Sequence, residues 1–304
     1  MKIIFFLFFA LCFNIGFAQA DTTIIGKNVI TLSEVVVRNN LNVPTLISRI
    51  KNDTSFYKAF KNLHIVGYTA INDIRMLNKK GNPDAIYKSK TRQIRRGDCR
   101  IMETLEQESS GDFFNNDGSY NYYTANMYAS LFFTKGKICG ENNIVKDLDF
   151  STSDKRGIEK NKEQLKMLFF NPGRRIRGIP FMSKKTEIYS DDMSDEYNMD
   201  VDLENFNNIP CYVFKQKVKN GRESNVVIDE MTTWFNEKTF DIVGRNYSLS
   251  YDAGVYDFNV VMEVVMTNFN GLTVPSLIRY NGNWKVFGKK RERGVFTATL
   301  SDFN

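Results

Sequence analysis

From residue 184 to residue 304 the sequence is written almost throughout in a period of two. KKTEIY, YNMDVDL, CYVFKQKV, VVIDEMTTWF, TFDIVGRNYSLSY and YDFNVVMEVVMTNF follow one another, and GLTVPSLIRY, NWKVFGKK and GVFTATLSDF end the chain. Successive side chains of a strand point to opposite faces, so each segment predicts a strand with one face toward a core. Asn270-Gly271, Asn281-Gly282-Asn283 and Arg293-Gly294 are read as turns between the last strands. The whole predicts an antiparallel meander.

The first half is mixed. VITLSEVVV, 29–37, predicts a strand broken at Asn39-Asn40. Pro44 suits the first turn of a helix, and Leu46, Ile47, Ile50, Tyr57 and Phe60 continue it at helical spacing over roughly 44–61. HIVGYTAINDIRMLN and AIYKSKTRQIRR form a hairpin around KKGNPD, which IMETLEQE extends. A second helix is expected near 119–134, with Tyr123, Met127 and Leu131 on one face. A third is expected near 155–170, capped by Ser153 or Asp154 and stopped by Asn171-Pro172-Gly173.

Compartment is written at the start. Met1-Lys2, the apolar run IIFFLFFALCF at 3–13 and Ala18-Gln19-Ala20 have the three parts of a secretory signal, so 1–20 is expected to be removed. No later stretch is long and apolar enough to span a bilayer. Cleavage takes the formal charge of +6 to +5 by removing Lys2, a mild balance that with export argues against nucleic acid. Cys99, Cys139 and Cys211 remain, an odd number that allows at most one internal bridge. Cys99 and Cys139, in GDCR and KICGE, are the candidate pair, although spacing alone does not settle connectivity. Cys211 reads as a buried free thiol.

Catalytic chemistry finds little to stand on. The one histidine, His64, lies between apolar neighbours without a nucleophile elbow, and reads as structural. One histidine and scattered cysteines make no zinc set, and no cofactor motif is present. In SDDMSDEYNMDVDLE, the acids Asp200, Asp202 and Glu204 alternate with Val201 and Leu203, as on the wet face of a strand. The stretch lacks the glycine and terminal glutamate of a calcium loop. Arg174, Arg175 and Arg177, after the helix stop, are candidates to contact an anion.

NVVIDEMTTWFNEKTFDIVGRNYSLSY, followed by VVMEVVMTNFNGLTVPSLIRYNGNW, resembles lipoprotein-localisation carriers of the LolA/LolB type. The likeness rests on Trp234 to Ile242 in the form W-x-[ND]-x-x-T-F-x-[IV], and on Gly271 to Ile278 in the form G-L-x-[VL]-P-[ST]-x-I. It covers roughly 160–304. TLSEVVVRNN, with VPTLISRIKND, resembles a segment that follows small regulatory β-domains in exported Gram-negative proteins, and FYKAFKNL with NYYTANMYASLFF resembles exported proteins of unassigned function. The resemblance implies an α+β fold: a large bent antiparallel sheet, a half-barrel, with a few helices covering one face. The organisation is then a signal peptide over 1–20, an arm over 21–43 and a half-barrel domain over 44–304.

Val260, Met262, Val264 and Met266, with Trp234, are the candidate ligand-binding residues on that sheet, because methionines adapt to varied apolar ligands. A filled core would use the same side chains. The expectation is a non-enzymatic exported protein, periplasmic or peripheral to the outer membrane, binding a lipid, an acyl chain or a lipoprotein. The alternatives are an interaction module touching an outer-membrane protein, and a carboxylate-dependent hydrolase.

Overall fold

A computed structural model describes residues 21–25, 27–38, 41–145, 167–176, 182, 184–252, 256–286, 288 and 290–304. The signal peptide, the expected helix up to residue 166 and Arg177 lie outside them. The strands are β1 Asp21–Ile25, β2 Asn28–Leu32, β3 Tyr68–Leu77, β4 Pro83–Arg96, β5 Cys99–Ser110, β6 Ile138–Cys139, β7 Tyr197–Phe206, β8 Ile209–Val218, β9 Ile228–Asn236, β10 Ile242–Asp252, β11 Tyr256–Phe269, β12 Leu272–Val286 and β13 Glu292–Ser301. The helices are α1 Glu34–Arg38, α2 Val43–Asn52, α3 Ser55–Asn62 and α4 Tyr123–Phe132.

All thirteen strands join one sheet in the order β1-β2-β7-β8-β9-β10-β11-β12-β13-β3-β4-β5-β6. Among the described residues it is open, with β1 and β6 at its edges. Every adjacent pair is antiparallel except β2 and β7, which run parallel through Ile30 and Met199. The arm therefore belongs to the sheet. The last strand pairs with the first hairpin of the N-terminal half, from Arg293 opposite Leu77 to Ser301 opposite Thr69.

The register explains where the core sits. Ile30 faces Met199, Met199 faces Gln216, and Gln216 faces Met231. The row continues through Tyr247, Met262, Tyr280, Phe296, Ile74 and Tyr87. Every one of these side chains is buried. Directly opposed residues share a face, so the period of two yields one continuous buried surface across ten strands, apolar along this row except at Gln216. Helices α2 and α3 cover it with Leu46, Ile47, Ile50, Phe56 and Phe60. Shifts of register after Ile242, Ser248, Val265, Met76 and Lys90 mark irregular pairing of the kind that bends strands.

Several expectations need correction. The region 29–37 is not one strand: the carbonyl of Ser33 accepts from the amides of Val36 and Val37 and starts α1. The helix over 44–61 is two helices, because Asp53 takes an extended backbone and its Oδ1 accepts from the Ser55 amide at 3.0 Å. The third helix is described only from 167 to 170, where the chain is helical. Asn270-Gly271 is a turn, with φ of 49° and 79°. Gly282 and Gly294 are not: they lie opposite each other inside β12 and β13. Each makes room for an aromatic ring two residues away. A Cβ on Gly282 would stand 2.5 Å from the Tyr280 hydroxyl, and one on Gly294 would stand 3.0 Å from the Phe296 ring. The freed space lets Tyr280 and Phe296 stack at 4.8 Å.

Alanine usually improves on glycine inside a strand. Gly282→Ala is predicted to do the opposite here, lowering stability by about 1–3 kcal/mol through overpacking. Equilibrium urea unfolding reads this directly. A variant as stable as the parent would show that the Tyr280 ring can move aside without cost.

Candidate functional site

A cleft of about 360 Å³ opens between α3, α4 and the start of β5. Tyr57, Phe60 and Lys61 reach it from α3, since positions three and four apart share a helix face. Leu131 and Phe132 reach it from α4, with Phe133 just beyond. Met167 and Phe170 complete the apolar wall. The rings interlock: Phe170 lies 4.4 Å from Phe60 and 5.9 Å from Phe132.

The other end is polar. His64, Arg100 and Glu141 line it together with Lys61. Arg100 grips Glu141 through both Nε and Nη2, the second bond being 3.2 Å. Its Nη1 donates to Gln93 Oε1 at 2.9 Å and also to Thr134 Oγ1. Thr134 donates in turn to Gln93 at 3.0 Å, and Gln93 Nε2 donates to the carbonyls of Leu63 and Val66. Gln93 and Thr134 are buried, so this network fixes the guanidinium in place from behind. His64 Nδ1 lies 3.1 Å from Glu141 Oε1.

The structure joins Cys99 to Cys139 by a disulfide across 40 residues. The two cysteines face each other in the β5–β6 pair, and Arg100 faces Ile138. The bridge thereby delivers Glu141, two residues later, to Arg100. The pairing of GDCR with KICGE was thus the one sequence signal that could have brought Arg100 and Glu141 together. His64, read as structural, stands at the cleft. Cys211 is buried and free, and burial pushes its thiol pKa up.

Electrostatics follow from this geometry. Burial lowers the pKa of His64 most, Glu141 opposes that, and the Arg100 and Lys61 charges add to it, leaving the imidazole below its ordinary value. Burial works to raise Glu141, but the hydrogen bond from Arg100 and the nearby positive groups outweigh it and hold the carboxyl low. The buried Tyr68 hydroxyl is pushed up to about 12 by desolvation.

The residues singled out from sequence are distributed differently. Val260, Met262, Val264 and Met266 are all buried on the concave face of the sheet. A void of about 10 Å³ lies beside Met262, under Tyr128, Leu131 and Phe169. They form a packed layer beneath the helices and do not line the cleft. Trp234 is on the opposite face, because it pairs with Gly244 while Met231 pairs with Tyr247. There it packs 4.7 Å from Phe206, whose ring occupies the space a Cβ on Gly244 would need. Arg174 is half-buried and Arg175 exposed. Of the acids on β7, Glu204 pairs with Lys215 on β8, in keeping with a solvated face.

No family model matches the chain, and no curated protein matches it. Solved structures similar to it include a DUF1329 family protein from Desulfovibrio piger, at 12% identity and a TM-score of 0.24, covering 83% of this chain and 93% of that one. A LolA superfamily protein from Nitrosomonas europaea gives 12% identity and a TM-score of 0.24, with the same coverage. A putative outer membrane lipoprotein-sorting protein domain from Vibrio parahaemolyticus gives 8% and 0.26, covering 82% of this chain and 91% of that one. The LolA type that the sequence resembles is among them.

His64 is the only histidine in the chain, so its ring protons report alone in a proton NMR titration. The midpoint is predicted below about 6.5 and lower still in Glu141→Gln, which removes the group that opposes the shift. Folding favours the neutral imidazole. Its contribution to stability is therefore complete above the unfolded value and is lost as the pH falls through the folded one. An upward move of the midpoint in Glu141→Gln would overturn this account of the pair.

Proposed function

We propose that the protein is a non-enzymatic exported protein of the cell envelope that binds an amphiphile in the cleft between α3 and α4. The observation that carries this reading is a recess with an aromatic wall at one end and fixed charges at the other. Its volume of about 360 Å³ is at the lower end of the range of roughly 300–1,000 Å³ that holds small ligands. An acyl or other apolar chain lies against Tyr57, Phe60, Leu131 and Phe132. A head group that accepts hydrogen bonds meets Lys61 and the Arg100 end. A lipid or the acylated terminus of a lipoprotein has this chemistry.

Location supports the same reading. The signal-like start and the disulfide both suit export to an oxidising compartment. Among the described residues no helix is long and apolar enough to cross a membrane. Among the described residues the His64–Glu141 pair has no hydrogen-bonded serine or cysteine beside it: Ser130, the serine that lines the cleft, donates to the Met127 carbonyl at 2.7 Å. This favours binding over covalent catalysis.

Native mass spectrometry of the mature protein from its own envelope, before and after mild organic extraction, tests the proposal. An extractable mass of lipid size is expected. A fluorescent fatty acid should rebind the extracted protein, and Leu131→Trp, which fills the cleft, should weaken that binding at least tenfold with the circular dichroism spectrum unchanged. A bare mass together with no uptake of the probe would refute a carrier role.

A further inference from the structure

A second polar cluster lies on the concave face, away from the cleft. Arg245 points inward from β10 and is only 5% exposed. Its Nε donates to Thr233 Oγ1 on β9 at 2.9 Å, and its guanidinium lies 4.4 Å from the centre of the Phe56 ring. Neither contact carries negative charge. Among the described residues no carboxylate forms an ion pair with Arg245, and its side-chain hydrogen bond is the one to Thr233. That bond uses one of the five N–H donors of the guanidinium and leaves the others open to a partner beyond the described residues.

The surroundings hold further polar atoms without a partner, one a donor and one an acceptor. Gln216, fully buried on β8, accepts from the Tyr189 hydroxyl at 3.3 Å, yet its Nε2 has no partner. Arg174 reaches in from the turn after residue 170, donating to the Asp53 carbonyl at 2.9 Å, with its guanidinium 5.8 Å from the Tyr189 ring. Asp53 uses Oδ1 on the Ser55 amide and leaves Oδ2 buried without a partner. Glu187 also bears on Arg174. Burial raises the Tyr189 pKa, while Arg245 and Arg174 both pull it back, so the two guanidinium groups share one neighbourhood. The acids of this neighbourhood, Asp53 and Glu187, act on Arg174, and neither forms an ion pair with Arg245.

We propose that Arg245, Arg174 and Gln216 form a binding site for a small oxyanion, a carboxylate or phosphate group. Planar guanidinium donors match two oxygens of such a group at once, and the free Gln216 amide supplies a further donor. Entry is from the side of Arg174, the half-buried member. The site is independent of the cleft, from which Phe56 and Phe60, in edge contact at 5.3 Å, separate it.

Thermal unfolding of the mature protein with increasing inorganic phosphate or sodium acetate, at ionic strength held constant with sodium chloride, tests this. At least one of the two is expected to raise the midpoint by a few degrees, with saturation. Arg245→Met should abolish the saturable rise. Arg174→Met, at a half-exposed position, should weaken it at least tenfold and serves if the Arg245 variant does not fold. Gln216→Leu should weaken it as well. Phosphate responding alone identifies a phosphoryl ligand, and acetate responding alone a carboxylate. No saturable rise beyond that of chloride overturns the proposal, as does a rise that survives in Arg174→Met and Gln216→Leu.

Discussion

The structure depends on the ladder between β13 and β3. It is the single seam through which the C-terminal meander and the N-terminal hairpin become one sheet. Beyond its end the chain terminus is tied in again, with the Gly67 and Asn304 backbones exchanging hydrogen bonds of 2.8 and 3.0 Å. The cleft inherits its position from this seam. Strand β3 begins just after His64, β4 presents Gln93 beside it, and β5 carries Arg100 and the anchoring cysteine. Remove the seam and α3, which packs on β12, would no longer be held against the polar strands.

Bending the sheet creates a concave face, but bending alone does not create a container. The row from Ile30 to Tyr87 is closed over by α2, α3, α4 and the segment around Phe169. Phe169 stands 5.9 Å from Tyr280 and 6.0 Å from Trp284. The Tyr247 hydroxyl donates to the Phe169 carbonyl, which pins that segment to the floor of the sheet. Rings packed edge-on at such distances leave no room for an acyl chain at Met262. Beside α3 and α4 the space lies at the start of β5, where the wall turns polar.

The meander was legible because period-two alternation needs no knowledge of distant partners. Val260, Met262, Val264 and Met266 announce a buried face from their own spacing. What the face packs against is a long-range property, and alternation carries no information about it. Trp234 shows the limit: the bulge after Ile242 and the place of Gly244 decide its side of the sheet. Gly282 and Gly294 look like turns by composition and are instead the spaces into which Tyr280 and Phe296 fold. The cleft was the least legible part. Its polar end draws on residues 64, 93, 100, 134 and 141, which share no motif and meet only through the β3–β4–β5 ladder and the disulfide.

Polar residues on a buried sheet face are informative because an ordinary core has no use for them. Among the described residues this face holds three groups. Asn72 donates to Ser89 and Thr91 at 3.3 Å, a small set that closes on itself. Gln93, Thr134 and Arg100 form a second, and Glu141 neutralises it. The third, around Arg245, leaves Gln216 Nε2 without a partner, and among the described residues no carboxylate pairs directly with the guanidinium. The contrast lies within one molecule, built from one sheet by the same alternation. Two groups close on themselves, whereas the third holds a buried amide donor, Gln216 Nε2, that an oxyanion from outside the chain would complete.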